Sequence, residues 1–138
     1  MTVSEHTIKD ILIGNVWLAS GQSNMELPVR RLLDLYADEV KAYTNPNIRY
    51  VKTPVAQNYH NPQADIPNVN WKTLTPENAL DYSGVCYFFA RDLYEKINVP
   101  VGIINSSVGG SPIESWIGEE GLKSFPHYLY DMGLHRSD

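Results

Sequence analysis

The chain has 138 residues, of which 43% are hydrophobic, and a formal net charge of -5 with one cysteine, Cys86. That composition is enough for one packed core and excludes an internal disulfide or a cysteine-based zinc site. The acidic balance, with a pI near 5.3, excludes nucleic acid and anionic membrane surfaces as main partners, and the apolar runs fall short of the ~20 residues of a membrane-spanning helix. The apolar neighbours of Cys86 predict a buried, inert thiol.

The first part of the chain predicts two strands and a helix. Residues 11–13 read as a short strand, and after a Gly-Asn turn residues 16–19 read as a strand buried on both faces. From Arg30 to Tyr43, apolar residues recur every three to four positions, as an amphipathic helix requires. The Asn-Pro-Asn at 45–47 stops that helix.

The middle of the chain predicts a strand at 48–51, a proline-containing surface loop over 53–70, and a short helical turn at Thr75-Pro76-Glu77. A longer helix is expected to start at Asp81 or Ser83 and to end before Val99-Pro100, because proline disfavours helix in the residue before it. Its predicted buried stripe consists of Val85, Phe88, Phe89, Leu93 and Ile97.

The last predicted strand covers 101–104, again buried on both faces, and a loop of small residues follows at 105–111. Strands alternating with helices in this way predict an α/β sandwich with a mainly parallel sheet. In such sheets, ligands bind beyond the carboxyl ends of the strands. The loops at 20–25 and 105–111 both follow strands, so we expect them to share one edge.

The first of these loops presents Ser23 in a tight turn, Gly-Gln-Ser-Asn-Met. A nucleophilic serine needs an exposed hydroxyl, a base that takes its proton, and backbone N–H donors for the oxyanion. The turn departs from the G-x-S-x-G elbow of α/β-hydrolases because Met25 replaces the second glycine. Taken alone, the pattern favours an ordinary helix cap over a nucleophile.

Three segments, in order, resemble the sialate O-acetylesterase family, a carbohydrate-esterase branch of the SGNH hydrolases. Residues 16–26 resemble its nucleophile block, 82–90 its central helix, and 102–117 its second loop. Together they reverse the interpretation of Ser23, since three ordered matches are more specific than one. The resemblance implies an SGNH-hydrolase-like, flavodoxin-like α/β/α sandwich with a mainly parallel sheet, incomplete in this chain. It also implies metal-independent removal of O-acetyl groups from carbohydrate, without a cofactor.

The resemblance implies that Ser23 attacks the acetyl ester. Its own backbone N–H and one from the glycine loop would then hold the oxyanion, with Gly110 the preferred donor and Gly109 almost its equal. Glycines permit the turn and the close approach that such donors need, although a plain strand-to-helix turn is the alternative. Gln22 and Asn24 are expected to shape the turn. Glu114 is expected to anchor its loop through backbone N–H groups, and Trp116 to pack beneath it.

The family's remaining motifs, a Gln-Gly-Glu loop and a late Asp-x-x-His that supplies acid and base, are not found in this sequence. The four histidines, His6, His60, His127 and His135, are expected at the surface, and the spacing of Asp131 from His135 is four rather than three. We therefore expect one truncated domain, with 1–13 ending a preceding β region, 14–117 as catalytic core and 118–138 as tail. A half-built sheet exposes an unpaired edge, which predicts self-association.

Two further functions compete with a serine esterase acting on O-acetylated carbohydrate, either sialic acid or an acetylated polysaccharide. The first is a non-catalytic carbohydrate-binding module or pseudoenzyme, supported by the missing Asp-x-x-His. The second is an inactive fragment. The first ten residues lack a secretion pattern, so location is unknown from the chain; the resemblance implies an extracellular or periplasmic protein.

Overall fold

The computed structural model describes residues 9–55, 64–66 and 69–131. Its elements in chain order are β1 (Asn15–Gly21), α1 (Ser23–Glu26), a first 3-10 turn (Val29–Leu32), α2 (Leu33–Ala42), β2 (Asn45–Lys52), β3 (Lys72–Leu74), α3 (Pro76–Ala79), α4 (Gly84–Ile97), β4 (Val101–Ser107), a second 3-10 turn (Ile113–Trp116), α5 (Glu119–Leu122) and α6 (Pro126–Asp131). No helix within the described ranges is both long and apolar enough to cross a membrane.

The described strands form one sheet in the order β1-β4-β2-β3. β4 pairs in parallel with β1 and β2, and β3 pairs antiparallel with β2. This confirms the α/β fold with a mainly parallel sheet. Because Gly21 lies opposite Ser107 in the β1–β4 register, the loops that follow these strands leave the sheet side by side.

One face of the sheet is buried beneath α4. Ile48 and Tyr50 of β2 and Val101 and Ile103 of β4 join a cluster that includes Cys86, Tyr87 and Ala90 of α4. Cys86 is buried, as predicted. Burial raises the pKa of its thiol. The cluster gives the strand ends near Ser23 a rigid support.

The strand that leads to Ser23 differs from its prediction in burial. Residues 11–13 are exposed and form no strand, and among the described strands β1 pairs with β4 alone. On the sheet face opposite α4, Val16 is 63% and Leu18 71% exposed. The prediction of a strand buried on both faces is therefore wrong for the described structure, because an apolar run indicates burial only where neighbouring elements cover it.

Helix α4 begins and ends as predicted, but its buried stripe is different. Ser83 caps the helix by accepting a hydrogen bond from the Cys86 N–H, at 3.3 Å. The buried residues are Gly84, Cys86, Tyr87 and Ala90, whereas Val85, Phe89 and Ile97 of the predicted stripe are exposed. Phe89 instead contacts Trp17 of β1 edge-on, at 5.2 Å between ring centroids. Phe88 and Leu93 of the predicted stripe are partly buried and pack against the core.

Other elements also differ from their predicted extent, among them β2, which is predicted at 48–51 and covers Asn45–Lys52. The helix predicted from Arg30 consists of the first 3-10 turn and then α2, with non-helical backbone at Tyr36. β4 continues through Asn105–Ser107, which the sequence suggested as loop, because β1 offers parallel partners as far as Gly21. β3 was not predicted, and it is only three residues long. Of the predicted loop at 53–70, the described parts contain no helix or strand.

Candidate functional site

Ser23 begins α1 directly after β1 ends. The backbone of this turn is held by hydrogen bonds from Glu26 N–H to the Gln22 carbonyl, at 3.0 Å, and from Leu27 N–H to the Ser23 carbonyl, at 2.8 Å. Ser23 is exposed, and its hydroxyl makes no hydrogen bond to another described residue. The first N–H groups of a helix have no intrahelical acceptor, so the Ser23 N–H is also available. The turn thus presents both a hydroxyl and a backbone donor.

The loop after β4 folds back over this turn. The Val108 N–H donates to the Gly21 carbonyl at 3.0 Å, and the Gln22 side-chain amide donates to the Ser111 carbonyl. Gly110 has φ +77, which a residue with a side chain adopts only at a cost. A Cβ on Gly109 would lie 3.4 Å from Ser23 Oγ, an ordinary van der Waals contact, and 2.7 Å from Glu26 Oε2, so a side chain here would displace the Glu26 carboxylate. The predicted partners Ser23, Gly109 and Gln22 are therefore brought together.

Glu26, which the sequence reasoning missed, links the two loops to β2. Its Oε2 accepts a hydrogen bond from the Gly109 N–H at 2.5 Å, and its Oε1 accepts one from Lys52 Nζ at 2.9 Å. These two bonds lower the pKa of the Glu26 carboxyl, so it is ionised at neutral pH. The Gly109 N–H is thereby occupied, whereas the Gly110 N–H bonds to no described residue. The only signal in the sequence was the acid one helical turn after Ser23.

Buried Asn105 supports the turn from below. Its Nδ2 donates to the Tyr50 hydroxyl at 2.8 Å and lies 3.4 Å from the carbonyl oxygen of Met25. Its Oδ1 accepts from the Ser107 N–H at 2.9 Å and from the Ser107 hydroxyl at 2.5 Å. One amide thus connects β4 and β2 to the backbone two residues after Ser23.

A cleft of about 790 Å³ opens beside Ser23, bordered by Glu26 and Gly109. Its charged lining residues are Glu26, Arg30, Lys52, Lys72 and Asp81, and Tyr50, Tyr82 and Thr53 also line it. Arg30 and Lys72 lie 2.6 and 3.9 Å from the Asp81 carboxylate. These walls offer hydrogen-bond donors and acceptors to a polar ligand, whereas the Tyr50 and Tyr82 side chains are almost fully buried. No histidine is among the described residues that line the cleft.

The remaining predicted residues lie near the site or outside it. Asn24 is exposed on α1, and its side chain bonds to no residue in the described ranges. Glu114 lies in the second 3-10 turn, and the backbone hydrogen bonds expected of its carboxylate are not formed with any described residue. Trp116 donates from its indole N–H to the Ser111 hydroxyl at 2.8 Å, which fixes the far side of the glycine loop.

The histidines do not supply a base among the described residues. His127 lies exposed on α6, its ring 4.1 Å from that of Tyr128, while His6, His60 and His135 lie outside the described ranges. Within those ranges no three His, Cys, Asp or Glu side chains gather as metal ligands would. The described site therefore consists of a hydroxyl, backbone donors and an ion pair.

Comparison with known proteins gives consistent matches. The model of the carbohydrate esterase family of sialic acid-specific acetylesterases matches residues 13–138. The sialate O-acetylesterase of Homo sapiens is 35% identical over 124 residues, which cover 85% of this chain and 24% of the human protein. The sialate O-acetylesterase of Rattus norvegicus is 35% identical over 126 residues, which cover 85% of this chain and 23% of the rat protein. A crystal structure of a carbohydrate acetylesterase from Xanthomonas citri superposes on this chain with a TM-score of 0.73 and 42% sequence identity. The match covers 78% of this chain and 24% of the Xanthomonas chain. The chain thus spans about a quarter of the length of these proteins.

Proposed function

Because the chain belongs to the sialic acid-specific acetylesterase family of carbohydrate esterases, we propose that it acts in removing O-acetyl groups from carbohydrate, with Ser23 as the nucleophile. The observation that carries this proposal is the exposed Ser23 hydroxyl at the start of α1, with Gly109 of the glycine loop beside it, where a Cβ would be in van der Waals contact with Ser23 Oγ at 3.4 Å. A free hydroxyl and neighbouring backbone N–H groups are two of the three groups that acyl transfer needs, and the third is a base.

In this mechanism Ser23 Oγ attacks the carbonyl carbon of the acetyl group and gives up its proton to a base. The carbonyl oxygen becomes an oxyanion, which accepts hydrogen bonds from the N–H groups of Ser23 and Gly110. The bond between the acetyl carbon and the sugar oxygen then breaks, the base returns its proton to the sugar oxygen, and an acetyl ester remains on Ser23. Water gives a proton to the base and attacks that ester, and the base passes the proton to Ser23 Oγ as acetate leaves. We choose Gly110 over Gly109 because the Gly109 N–H is already bonded to Glu26.

The cleft supports an acetylated sugar as substrate. Its volume of about 790 Å³ falls within the about 300 to 1,000 Å³ typical of small-ligand sites. Charged and hydroxyl-bearing side chains in its wall suit the hydroxyl groups of a sugar. We propose sialic acid or an acetylated polysaccharide as the sugar, and an extracellular or periplasmic location as the resemblance implies.

A second candidate function is binding without turnover. It is favoured by one observation, the lack of a histidine among the described residues lining the cleft. A serine without a base reacts slowly, because its hydroxyl must lose a proton as it attacks. In that case the chain would bind acetylated sugars and release no acetate.

Hydrolysis of p-nitrophenyl acetate by the wild type and by Ser23→Ala tests the proposal. We expect Ser23→Ala to lower turnover by at least about 1,000-fold, because removal of a nucleophile leaves only binding and oxyanion stabilisation. Ser20→Ala is the matched control, since Ser20 is an exposed serine on β1 and should keep full activity. Equal rates for wild type and Ser23→Ala would contradict the proposal. Calorimetric binding of acetylated sugar without acetate release would establish the second candidate.

A further inference from the structure

The Glu26 carboxylate is the point where the ends of three parallel strands meet. Glu26 lies on α1, which follows β1. Its two oxygens bond to Gly109, in the loop after β4, at 2.5 Å and to Lys52, the last residue of β2, at 2.9 Å. The side chain of Glu26 is 32% exposed, so it borders the cleft while most of its surface is covered. A carboxylate with both oxygens held in this way is fixed in position.

The position of this carboxylate has an electrostatic cost for the proposed reaction. A Cβ on Gly109 would lie 2.7 Å from Glu26 Oε2 and 3.4 Å from Ser23 Oγ, so the two oxygens flank the same small space. A negative charge there opposes the oxyanion that forms when Ser23 attacks. The Lys52 ammonium, 2.9 Å from the other oxygen of Glu26, partly neutralises the carboxylate. It therefore weakens the repulsion between the carboxylate and the oxyanion.

We propose that Glu26 and Lys52 act as a positioning pair. Glu26 holds the Gly109 backbone so that the glycine loop stays over Ser23 with the Gly110 N–H unpaired, and Lys52 neutralises the carboxylate. This inference rests on the proposed function, in which Ser23 forms an oxyanion. Neither side chain exchanges a proton or a bond with the substrate. The same contacts would have the opposite effect if Glu26 only blocked the Gly109 N–H as an oxyanion donor. In that case, removing the Glu26 carboxylate would speed the reaction.

Three variants separate these roles: Glu26→Gln, Lys52→Met and the double variant. Glu26→Gln keeps a side-chain oxygen but loses the charge, and we expect kcat to fall about 10-fold with KM nearly unchanged, the loss typical of one hydrogen bond to a charged group. Lys52→Met leaves the carboxylate unneutralised, and we expect kcat to fall about 100-fold. The double variant removes both charges and should recover to the level of Glu26→Gln. Recovery in the double variant shows that the two side chains act together, and the change in kcat without a change in KM assigns their effect to the reaction rather than to substrate binding.

Amide hydrogen exchange measured by NMR on the 138-residue chain tests the contact itself without relying on turnover. Exchange at Gly109 should rise roughly 10-fold in Glu26→Gln, the change expected for weakening one charge-assisted hydrogen bond. Glu39→Gln is the matched control, because Glu39 pairs with Arg91 at 2.7 Å and does not border the cleft. It should leave Gly109 exchange and kcat unchanged.

The outcomes distinguish this inference from the proposed function. Unchanged Gly109 exchange in Glu26→Gln, a rise in its kcat, or a double variant no better than Lys52→Met would each overturn the positioning pair. A wild-type chain with no Ser23-dependent turnover would instead overturn the proposed function. In that event faster exchange at Gly109 in Glu26→Gln still supports the pair, and unchanged exchange still overturns it.

Discussion

Asn105 is a buried polar residue whose side chain is fully used. Its amide donates to Tyr50 and lies near the Met25 carbonyl, while its oxygen accepts two hydrogen bonds from Ser107. Ser107 and Tyr50 are buried, so loss of the amide would leave buried polar groups unpaired. Such groups cost about 1 to 3 kcal/mol each, more than the hydrogen bonds contribute when formed.

We therefore predict that Asn105→Ala lowers the free energy of unfolding by about 3 kcal/mol, because the Ser107 N–H and hydroxyl lose their acceptor. Urea denaturation measures the change. Ser107→Ala should cost less, and the double variant should cost less than the two single losses added together, since the residues share one network. Additive losses, or a loss below about 1 kcal/mol for Asn105→Ala, would contradict this account.

Asn105 and Glu26 also show what a sequence hides at the scale of residues. Polar and small residues are typical of loops, so the run at 105–111 predicts a loop. Asn105 nevertheless continues β4, since Tyr50 and Met25 supply its partners from distant parts of the chain. Ser23 and the glycine loop were recognisable because their roles depend on local turn chemistry. The role of Glu26 depends on Lys52, 26 residues away.

At the scale of elements, α4 shows which features are local. Capping and proline signals predict a start at Asp81 or Ser83 and an end before Val99-Pro100, and the structure has Ser83 as the cap and Ile97 as the last helical residue. Its buried face did not follow from the apolar residues, because Phe89 contacts Trp17 at the sheet edge while Cys86 and Tyr87 enter the core. Which face of a helix is buried depends on the elements that pack against it, and the spacing of apolar residues in the sequence does not identify those elements.

The end of α4 allows a local test. Asn98 has φ 50 and ψ 40, the left-handed region, and its N–H donates to the Tyr94 carbonyl at 2.8 Å. We predict that Asn98→Ala lowers the free energy of unfolding by about 1 kcal/mol, because Ala lacks the tolerance of Asn for this backbone. Asn98→Gly should be neutral within about 0.5 kcal/mol. Lys96→Ala, in the same turn, is the control in urea denaturation, and equal losses in Asn98→Ala and Asn98→Gly would argue against a conformational cause.

At the scale of the whole molecule, the tyrosine-rich core predicts how stability depends on pH. The rings of Tyr50 and Tyr82 stack at 4.1 Å between centroids, and the Tyr82 hydroxyl donates to the Lys72 carbonyl at 2.6 Å. Burial raises the pKa of both phenols above the ordinary value of 10.0. Their contribution to stability is thus complete below about pH 10, the pKa in the unfolded chain, and is lost as the pH rises above it.

We expect the free energy of unfolding, measured in urea across this pH range, to fall steeply above about pH 10. Tyr82→Phe removes one of the buried phenols and should flatten that fall, although it lowers stability at pH 8 through loss of the hydrogen bond to Lys72. The exposed Tyr36 provides the control, because Tyr36→Phe should leave the slope unchanged. The same slope in wild type and Tyr82→Phe would contradict the assignment.

The edge of β1 that pairs with no other described strand is a candidate contact surface between two molecules. β1 pairs with β4 alone among the described strands, and Val16 and Leu18 are largely exposed beside that edge. An unpaired strand with apolar side chains favours pairing with a second copy of the same strand, which would bury both its backbone groups and these side chains. A contact through identical strands closes on itself as a dimer.

We predict that the chain self-associates reversibly with rising concentration and that Leu18→Lys shifts it to monomer, because a charge on an edge strand opposes pairing. Sedimentation velocity over a concentration series measures both effects. Leu35→Lys makes the same change of charge at a residue that is 79% exposed on α2, and it should leave association intact. If both variants dissociate alike, net charge rather than the β1 edge controls association. A wild-type chain that stays monomeric at the highest concentration would show that the exposed edge does not pair with itself.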